Sequence, residues 1–491
     1  MSNWKRFMYS VGVRLMRAGT ENLTDLSYIE SRITQWMTSP HRLCQIDGER
    51  YYRGDHDIIF KKRTVIGADG SLIEVKNLPN NRKVDNQYAR MVDQKKNYLL
   101  SQEIMFNSKN TQYVEALKKV FNKRFQKTFK DLGVDAYNGG IAWLCPYYKN
   151  NELRFKKFAA YEILPFWNDT EHTDLEMAVR LYEEEKPNAI NEQDVIKRVE
   201  IYTKNGVDFY TFDNNRLIPD VDKPHENYLT VGEAQYNWNK IPLIAFKANA
   251  KEIPLIKKCK SIQDAINDII STFKNNMDED TRNTILVLEN YDGQDLGEFR
   301  EKLSQYGVIK TRSGDGARGD VRTLNIEVNH TNYETILRMF KKAMVENCKG
   351  FDFAELRSNN DSPNQMNIKS VYADIDMDAN DLEAEMQCGL EDLIWFVNEH
   401  FKNIGKGEFI DEEVEFIFNR DMIVNEFEIM QMLTNLGVKI SNETLIKQVP
   451  WIYDVESEMK QIKQEREEEM EAYGDVLPTD DKIGGEKDEV A

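Results

Sequence analysis

The stretch SVYADIDMDANDLEAEM, residues 370–386, places six acidic residues in seventeen positions and has two readings. A calcium-binding loop needs oxygen ligands at positions 1, 3 and 5, a Gly at 6 and a bidentate Glu at 12. Counting from Asp374, the residues Asp376, Asp378 and Glu385 fit, but position 6 is Ala379, which lacks the left-handed freedom of Gly. Against this stand Ile368, Val371, Tyr372, Ile375, Ala379, Leu382, Met386, Leu390, Leu393, Ile394 and Val397, whose spacings of three and four draw one helical stripe. A charge run with an intact helical period is usually a helix face. The spacing therefore predicts a long helix with Asp374, Asp378, Asp381 and Glu385 as a solvated column opposite its apolar stripe.

Around this helix, 491 residues give room for several domain-sized units. Asp and Glu outnumber Lys and Arg by 84 to 65, a net charge of −19, so a non-specific grip on nucleic-acid phosphates is not the expectation, and any such contact has to be local or weak. The five cysteines, Cys44, Cys145, Cys259, Cys348 and Cys388, form no C-x-x-C pair, which argues for reduced thiols in a reducing compartment. The N-terminal MSNWKRFMYSVGVRLMRAG interleaves basic and apolar residues without an apolar core, and no run is long enough to span a bilayer, so neither a signal peptide nor a membrane partner is expected.

Periodicity predicts helices to about Trp36, from Arg82 to Ser101 through Val84, Tyr88, Met91, Val92, Lys95 and Leu99, and from Tyr113 to Asn138, stopped by Gly139 and Gly140. Between 141 and 246, runs such as IAWLCPYY, VIKRVEIYT and VDFYTF read as a mostly antiparallel sheet, making this half α+β. From Pro254, the positions Leu255, Cys259, Ile262, Ile266, Ile269, Phe273 and Met277 mark a long amphipathic helix to about Thr281. Then TILVLEN and YGVIKTRSGDGARGDVRTLNIEV read as strands, and a helix returns over 332–350 with Tyr333, Ile336, Leu337, Phe340, Met344 and Cys348 on one face. A polar Asn-rich loop containing Pro363 leads into the long helix. Beyond 425, further helices are punctuated by Gly437 and Ser441, and an acidic tail without aromatics is expected to be disordered.

No catalytic constellation emerges. GDGARG, residues 314–319, spells G-x-G-x-x-G, but strand-like sequence follows where a dinucleotide site needs a helix. P-loop, H-E-x-x-H and G-x-S-x-G motifs are absent. His56, between two Asp residues in GDHD, is an acid/base candidate, and a turn held by those Asp side chains is the plainer reading.

Three segments in order, YYRGDHDI at 51–58, NNRKVDNQYARMVDQKKNYLL at 80–100 and PNQMNIKSVYADIDMDANDLEAEMQ at 363–387, resemble the portal proteins of tailed bacteriophages, in particular those of siphophages of Gram-positive hosts. The helix, ILVLENYDG and VRTLNIE run between 261 and 327 is also similar to that group, and the likeness extends over 29–469. It departs at 364–366, Asn-Gln-Met, where the family has Ser-Gly or Asn-Gly before the long helix.

The resemblance implies an α+β portal fold of wing, stem, clip and crown, assembled as a dodecameric ring whose central channel passes double-stranded DNA. Mapped here, 1–253 would be wing, 254–282 a stem helix, 283–328 clip, 329–350 the second stem helix, 351–368 tunnel loop, 369–424 wing, 425–473 crown and 474–491 the tail. It implies no enzyme activity and no cofactor. The implied partners are the terminase large subunit, which carries ATP hydrolysis, then head-completion adaptors, and the major capsid and scaffolding proteins. The implied location is the capsid vertex of the virion, with assembly in the host cytoplasm. In the tunnel loop, Asn359, Asn360, Ser362, Asn364 and Gln365 would present uncharged hydrogen-bonding groups to the DNA backbone, positioning it without reading sequence. Arg312, Arg318 and Arg322 in the clip would meet acidic partner surfaces or line the DNA exit. Two rival readings remain: a calcium- or magnesium-dependent enzyme using Asp374, Asp376, Asp378 and Glu385, and a cytosolic scaffold binding helices through 425–491.

Overall fold

The computed structural model describes residues 25–66, 70–76, 78–185, 195–231, 234–280, 285–289, 320–324, 330–352, 365–420 and 455–474, with positions 431, 441, 446 and 452. It divides into two compact units. The first holds the described residues up to Asp352 together with Asp374–Arg420; the second holds those of Phe353–Ala373 and Asp421–Ala491.

The first unit opens with α1, Leu26–Met37, capped by the Asp25 side chain, and α2, Pro40–Arg53. Ser39 caps α2, Pro40 supplies its preset first turn, and Gly54 ends it at φ 95°. A 3-10 turn, Asp57–Phe60, and a hairpin of β1, Thr64–Ile66, and β2, Leu72–Glu74, follow. Helix α3, Gln87–Leu100, starts only after Asn86, whose side chain accepts from the Ala89 N–H. The expected helix from Arg82 is thus shorter by a turn, and Val84 lies in extended chain. Strand β3, Met105–Asn107, precedes α4, Thr111–Val120, and α5, Lys123–Gly139. These are two helices where one was expected, because Asn122 takes the N–H groups of Arg124 and Phe125 and starts a new helix.

Next come β4, Ile141–Lys149, β5, Glu152–Phe158, β6, Ile163–Trp167, β7, Leu175–Glu185, β8, Val195–Thr203, β9, Gly206–Asp213, β10, Arg216–Pro219, β11, His225–Glu226, β12, Leu229–Val231, β13, Ala234–Tyr236, and β14, Ile244–Lys247. All their pairings are antiparallel, as the alternating sequence predicts. The large sheet has the order β10-β9-β8-β7-β6, and a smaller one has β14-β4-β5. The period of two puts Val179, Leu181, Val199 and Ile201 on one face, where Ile29, Ile33 and Trp36 of α1 cover them. Ala178 and Tyr202 point the other way, into a core with Trp143, Phe158, Ile241 and Leu243. Each such large side chain, withdrawn from water, contributes roughly 1.5–3 kcal/mol.

From this body leaves α6, Ile256–Asp280. Strands β15, Ile285–Glu289, and β16, Asp320–Leu324, pair antiparallel, and α7, His330–Asn347, packs along α6. The long helix is α8, Gln365–Asn403, and β17, Glu415–Ile417, pairs with β3. Its predicted stripe is real: Ile375, Ala379, Leu382, Met386, Leu390, Leu393 and Val397 are buried. In the second unit, α9 spans Val455–Gly474. Gly437 and the tail beyond Gly474 lie outside the described residues, as does GDGARG, which is followed by β16 and not by a helix.

Candidate functional site: a polar seat for the paired helices

Helix α6 carries Gln263, Asn267, Ser271 and Asn275 at intervals of four, which places them in one row, and all four are buried. Against this row lies the extended chain that precedes α3. Four helical residues rise about 6.0 Å and two extended residues about 6.6 Å, so Asn275, Ser271 and Asn267 meet the alternate strap residues 81, 83 and 85, and Gln263 meets the first turn of α3. The Tyr88 N–H donates to Gln263 Oε1 at 2.9 Å, Asp85 N–H to Asn267 Oδ1 at 3.0 Å, Lys83 N–H to Ser271 Oγ at 2.9 Å and Asn81 N–H to Asn275 Oδ1 at 2.7 Å. Gln263 Nε2 donates back to the Asp85 carbonyl at 2.8 Å. Strap N–H groups without a sheet partner, at 81, 83 and 85, are thereby satisfied by side chains. The Asp85 carboxylate reaches Lys341 of α7 at 2.7 Å, so the same strap holds both excursion helices.

The YYRGDHDI segment closes the base of this seat. Asn86, besides capping α3, donates to the carbonyls of Tyr51 and Tyr52 at 2.9 and 3.2 Å. Tyr51 donates to Asp264 Oδ1 of α6 at 2.5 Å and receives Lys260 Nζ at 3.0 Å. Burial pulls the Asp57 carboxyl upward, but hydrogen bonds from Lys260 and Arg50 prevail and hold it at about 2. His56 is fully buried, with Nε2 3.0 Å from the Tyr51 carbonyl and Nδ1 2.7 Å from Asn267 Nδ2. A carbonyl only accepts, so Nε2 carries the hydrogen and Nδ1 accepts from the amide. Burial lowers the His56 pKa, and the neutral ring is a packing element stacked on Tyr51, not an acid/base group.

A second anchor corrects the expectation for the acidic run. Asp374 and Asp381 are exposed, but Asp378 is not part of a wet column. It flanks the buried stripe and pairs with Lys95 Nζ of α3 at 2.6 Å, with the lysine side chain fully buried. Tyr137 donates to the same carboxylate at 3.2 Å, and the Lys95 ammonium also donates to the Lys349 carbonyl at 3.4 Å. Desolvation lowers the Lys95 pKa against the pull of Asp378. Asp376 accepts from Tyr98 at 3.0 Å and from Arg420, which also holds Glu383 at 2.7 Å. Glu385 is half-buried, its pKa raised by burial. These carboxylates point to protein cations and phenols, and no converging metal-ligand set occurs among the described residues.

Gln94 finishes the anchor: its amide donates to the Phe351 carbonyl at 2.8 Å and accepts the Phe351 N–H at 3.1 Å. Lys95 thus ties the exit of α7, at Lys349, to α8, at Asp378. Of the residues expected to face DNA or partners, Arg322 lies on β16 opposite Val287, and Gln365 is the first residue of α8. Arg312, Arg318, Asn359, Asn360, Ser362 and Asn364 lie outside the described residues. Sequence reasoning missed the seat, although a lysine at a stripe position of α3 and an uncharged polar row on α6 were its visible signals.

The polar groups brought together here fix helices to one another and to a strap. The family model described as "Phage portal protein, SPP1 Gp6-like" matches residues 46–472, and the chain belongs to that family. It is 28% identical over 450 residues to the portal protein of Bacillus phage SPP1, covering 90% of this chain and 87% of that one. It is 24% identical over 443 residues to the portal protein of Clostridium phage phiCD119, covering 86% and 92%. Phage portal proteins are structural components of the virion. No helix among the described residues is long and apolar enough to cross a membrane.

Proposed function

We propose that this portal protein forms a dodecameric ring at the capsid vertex through which double-stranded DNA is packaged and later ejected. In this reading 1–253 and 369–424 are wing, 254–282 and 329–350 the stem, 283–328 the clip, 351–368 the tunnel loop and 425–473 the crown. The clip residues Arg312, Arg318 and Arg322 dock the terminase large subunit and then a head-completion adaptor, or line the exit. The tunnel-loop residues Asn359, Asn360, Ser362, Asn364 and Gln365 face the duplex. Capsid and scaffolding proteins surround the wing, and assembly takes place in the host cytoplasm.

Family membership supports the role, and one observation on the excursion helices carries the ring. Helix α6 buries its polar row while its apolar side fades into solvent: Ile262, Ile269 and Phe273 are only half-buried and Met277 is 45% exposed. On α7, Ile336 and Met339 are 44% and 65% exposed. A helix pair that buries Cys259, Ile266 and Met344 but leaves the rest of its apolar face in solvent is incomplete as a single chain, and a neighbouring copy supplies the missing cover. Electron microscopy with light scattering on the purified protein tests this. Closed rings with a hole wide enough for a duplex are expected, and a monodisperse monomer across concentration and salt would refute it.

A further inference from the structure

Between residues 104 and 130 this strongly acidic chain reverses its charge: seven basic residues face one acidic residue, Glu115. Five of the seven, Lys118 and Lys119 in the last turn of α4 and Lys123, Arg124 and Lys127 at the start of α5, are exposed and close together along a tight helix junction. Among the described residues none of the five has a carboxylate within ion-pair distance. Lys123 and Arg124 also stand where cations are least comfortable, in the first turn of a helix whose dipole already carries positive potential there. Glu412 hydrogen-bonds Asn110 at the opposite end of α4.

We infer that this α4–α5 corner is a binding surface for the phosphodiester backbone of duplex DNA, on the body of the protein and made of none of the tunnel-loop or clip residues named above. The corner has no exposed large apolar residue between 101 and 130. A protein partner is normally anchored by buried aromatic or aliphatic groups, so a purely cationic patch suits a polyanion better. It offers no groove-reading element and no exposed aromatic ring to stack on a base, so the contact is to phosphates and independent of sequence. The choice of duplex DNA among polyanions rests on the portal reading; the polyanion chemistry does not. Attraction is local and has to overcome the net charge of −19, which makes it weak and steeply salt-dependent.

The test uses the full-length protein and covalently closed circular plasmid, which cannot thread a ring, so channel binding does not contribute. Binding is measured at 50 and 200 mM salt for the wild type, for Lys118→Gln/Lys119→Gln, for Lys123→Gln/Arg124→Gln, and for the five-fold variant with Lys127→Gln. With three cations on phosphates at once, affinity falls about 40-fold between the two salt concentrations. Each double variant is expected to weaken binding several-fold and to flatten the salt dependence, while Lys204→Gln/Lys251→Gln, two exposed lysines elsewhere, leaves it unchanged. All targets are exposed, and the two double variants keep the test informative if the five-fold one misfolds. Failure of the wild type to bind the circle at 50 mM salt, or equal binding by the double variants, would overturn the proposal. Tighter binding of single-stranded RNA or of polyglutamate than of the plasmid would overturn the assignment to duplex DNA. Ring formation is scored separately, so loss of the portal reading and loss of this surface are told apart.

Discussion

Replacing Lys95 by Met tests whether one buried ammonium holds the exit of α7 against α8. Met keeps most of the apolar stem but removes the 2.6 Å pair to Asp378, the 3.4 Å bond to the Lys349 carbonyl and the ammonium 5.6 Å from the Tyr137 ring centre. Because Lys95 is fully buried and the Asp378 side chain is only 13% exposed, solvent screens little, and the main cost is an uncompensated carboxylate. Breaking such a pair by deleting one partner typically costs about 3–5 kcal/mol. Tyr137 still donates to Asp378, which puts the expectation at the lower end, about 3 kcal/mol. Lys95→Met/Asp378→Leu removes both charges and should recover most of that loss, since a buried pair replaced by apolar groups is often near neutral. Urea unfolding at fixed protein concentration reads both variants, and hydrogen exchange locates the effect. Faster exchange at the Gly350 and Phe351 amides is expected, with the strap amides of Lys83 and Asp85 unchanged. A loss below about 1 kcal/mol for Lys95→Met, or a double variant as unstable as the single, would refute the argument from a buried charge pair.

Three further outcomes follow from the seat and its surroundings. Asn267→Ala strands the Asp85 N–H and His56 Nδ1, and should lower stability by about 2–4 kcal/mol, with faster exchange at Asp85, read by denaturant midpoint and amide exchange. Burial lowers the His56 pKa below its ordinary 6.5, so between those two values the unfolded chain binds more protons than the fold. Stability present above pH 6.5 is then lost as pH falls, by up to about 1.4 kcal/mol per pH unit. His56→Gln lacks this slope, so its deficit against the wild type should narrow on acidification, and comparing the two cancels His41, His400 and Asp135. Gly48→Ala would normally favour a helix, but here the new Cβ meets the Asn138 carbonyl oxygen at 2.1 Å, backbone that cannot turn aside. Thermal unfolding should show a loss of about 2 kcal/mol or more in place of a gain.

The elements of this fold were legible because they are local. A row of apolar residues at helical spacing specifies α8 whatever covers it, and Asn, Ser and Gly at the ends of α2, α3 and α5 stop or start helices through their own backbone geometry. What was not legible depends on residues far apart in sequence. Arg82, Lys83 and Val84 fit a helical pattern as well as their neighbours do, and the extended strap wins because Asn267, Ser271 and Asn275, nearly two hundred positions later, complete its hydrogen bonds. The acidic run misled for the same reason. Its period correctly gave a helix, but period alone does not say whether the flank of a stripe meets water or a buried cation, and Lys95 and Arg420 come from elements 283 and 44 positions away. A lysine at a stripe position is the exception that sequence does display. Its aliphatic stem satisfies the stripe, while its ammonium inside a core demands a carboxylate, so Lys95 alone implies that one of the acidic residues of some other helix is buried. In a chain with 84 acidic residues that inference selects no partner by itself. Combined with the long acidic-flanked helix, it narrows the choice to the carboxylates beside the stripe, and among them the fold selects Asp378.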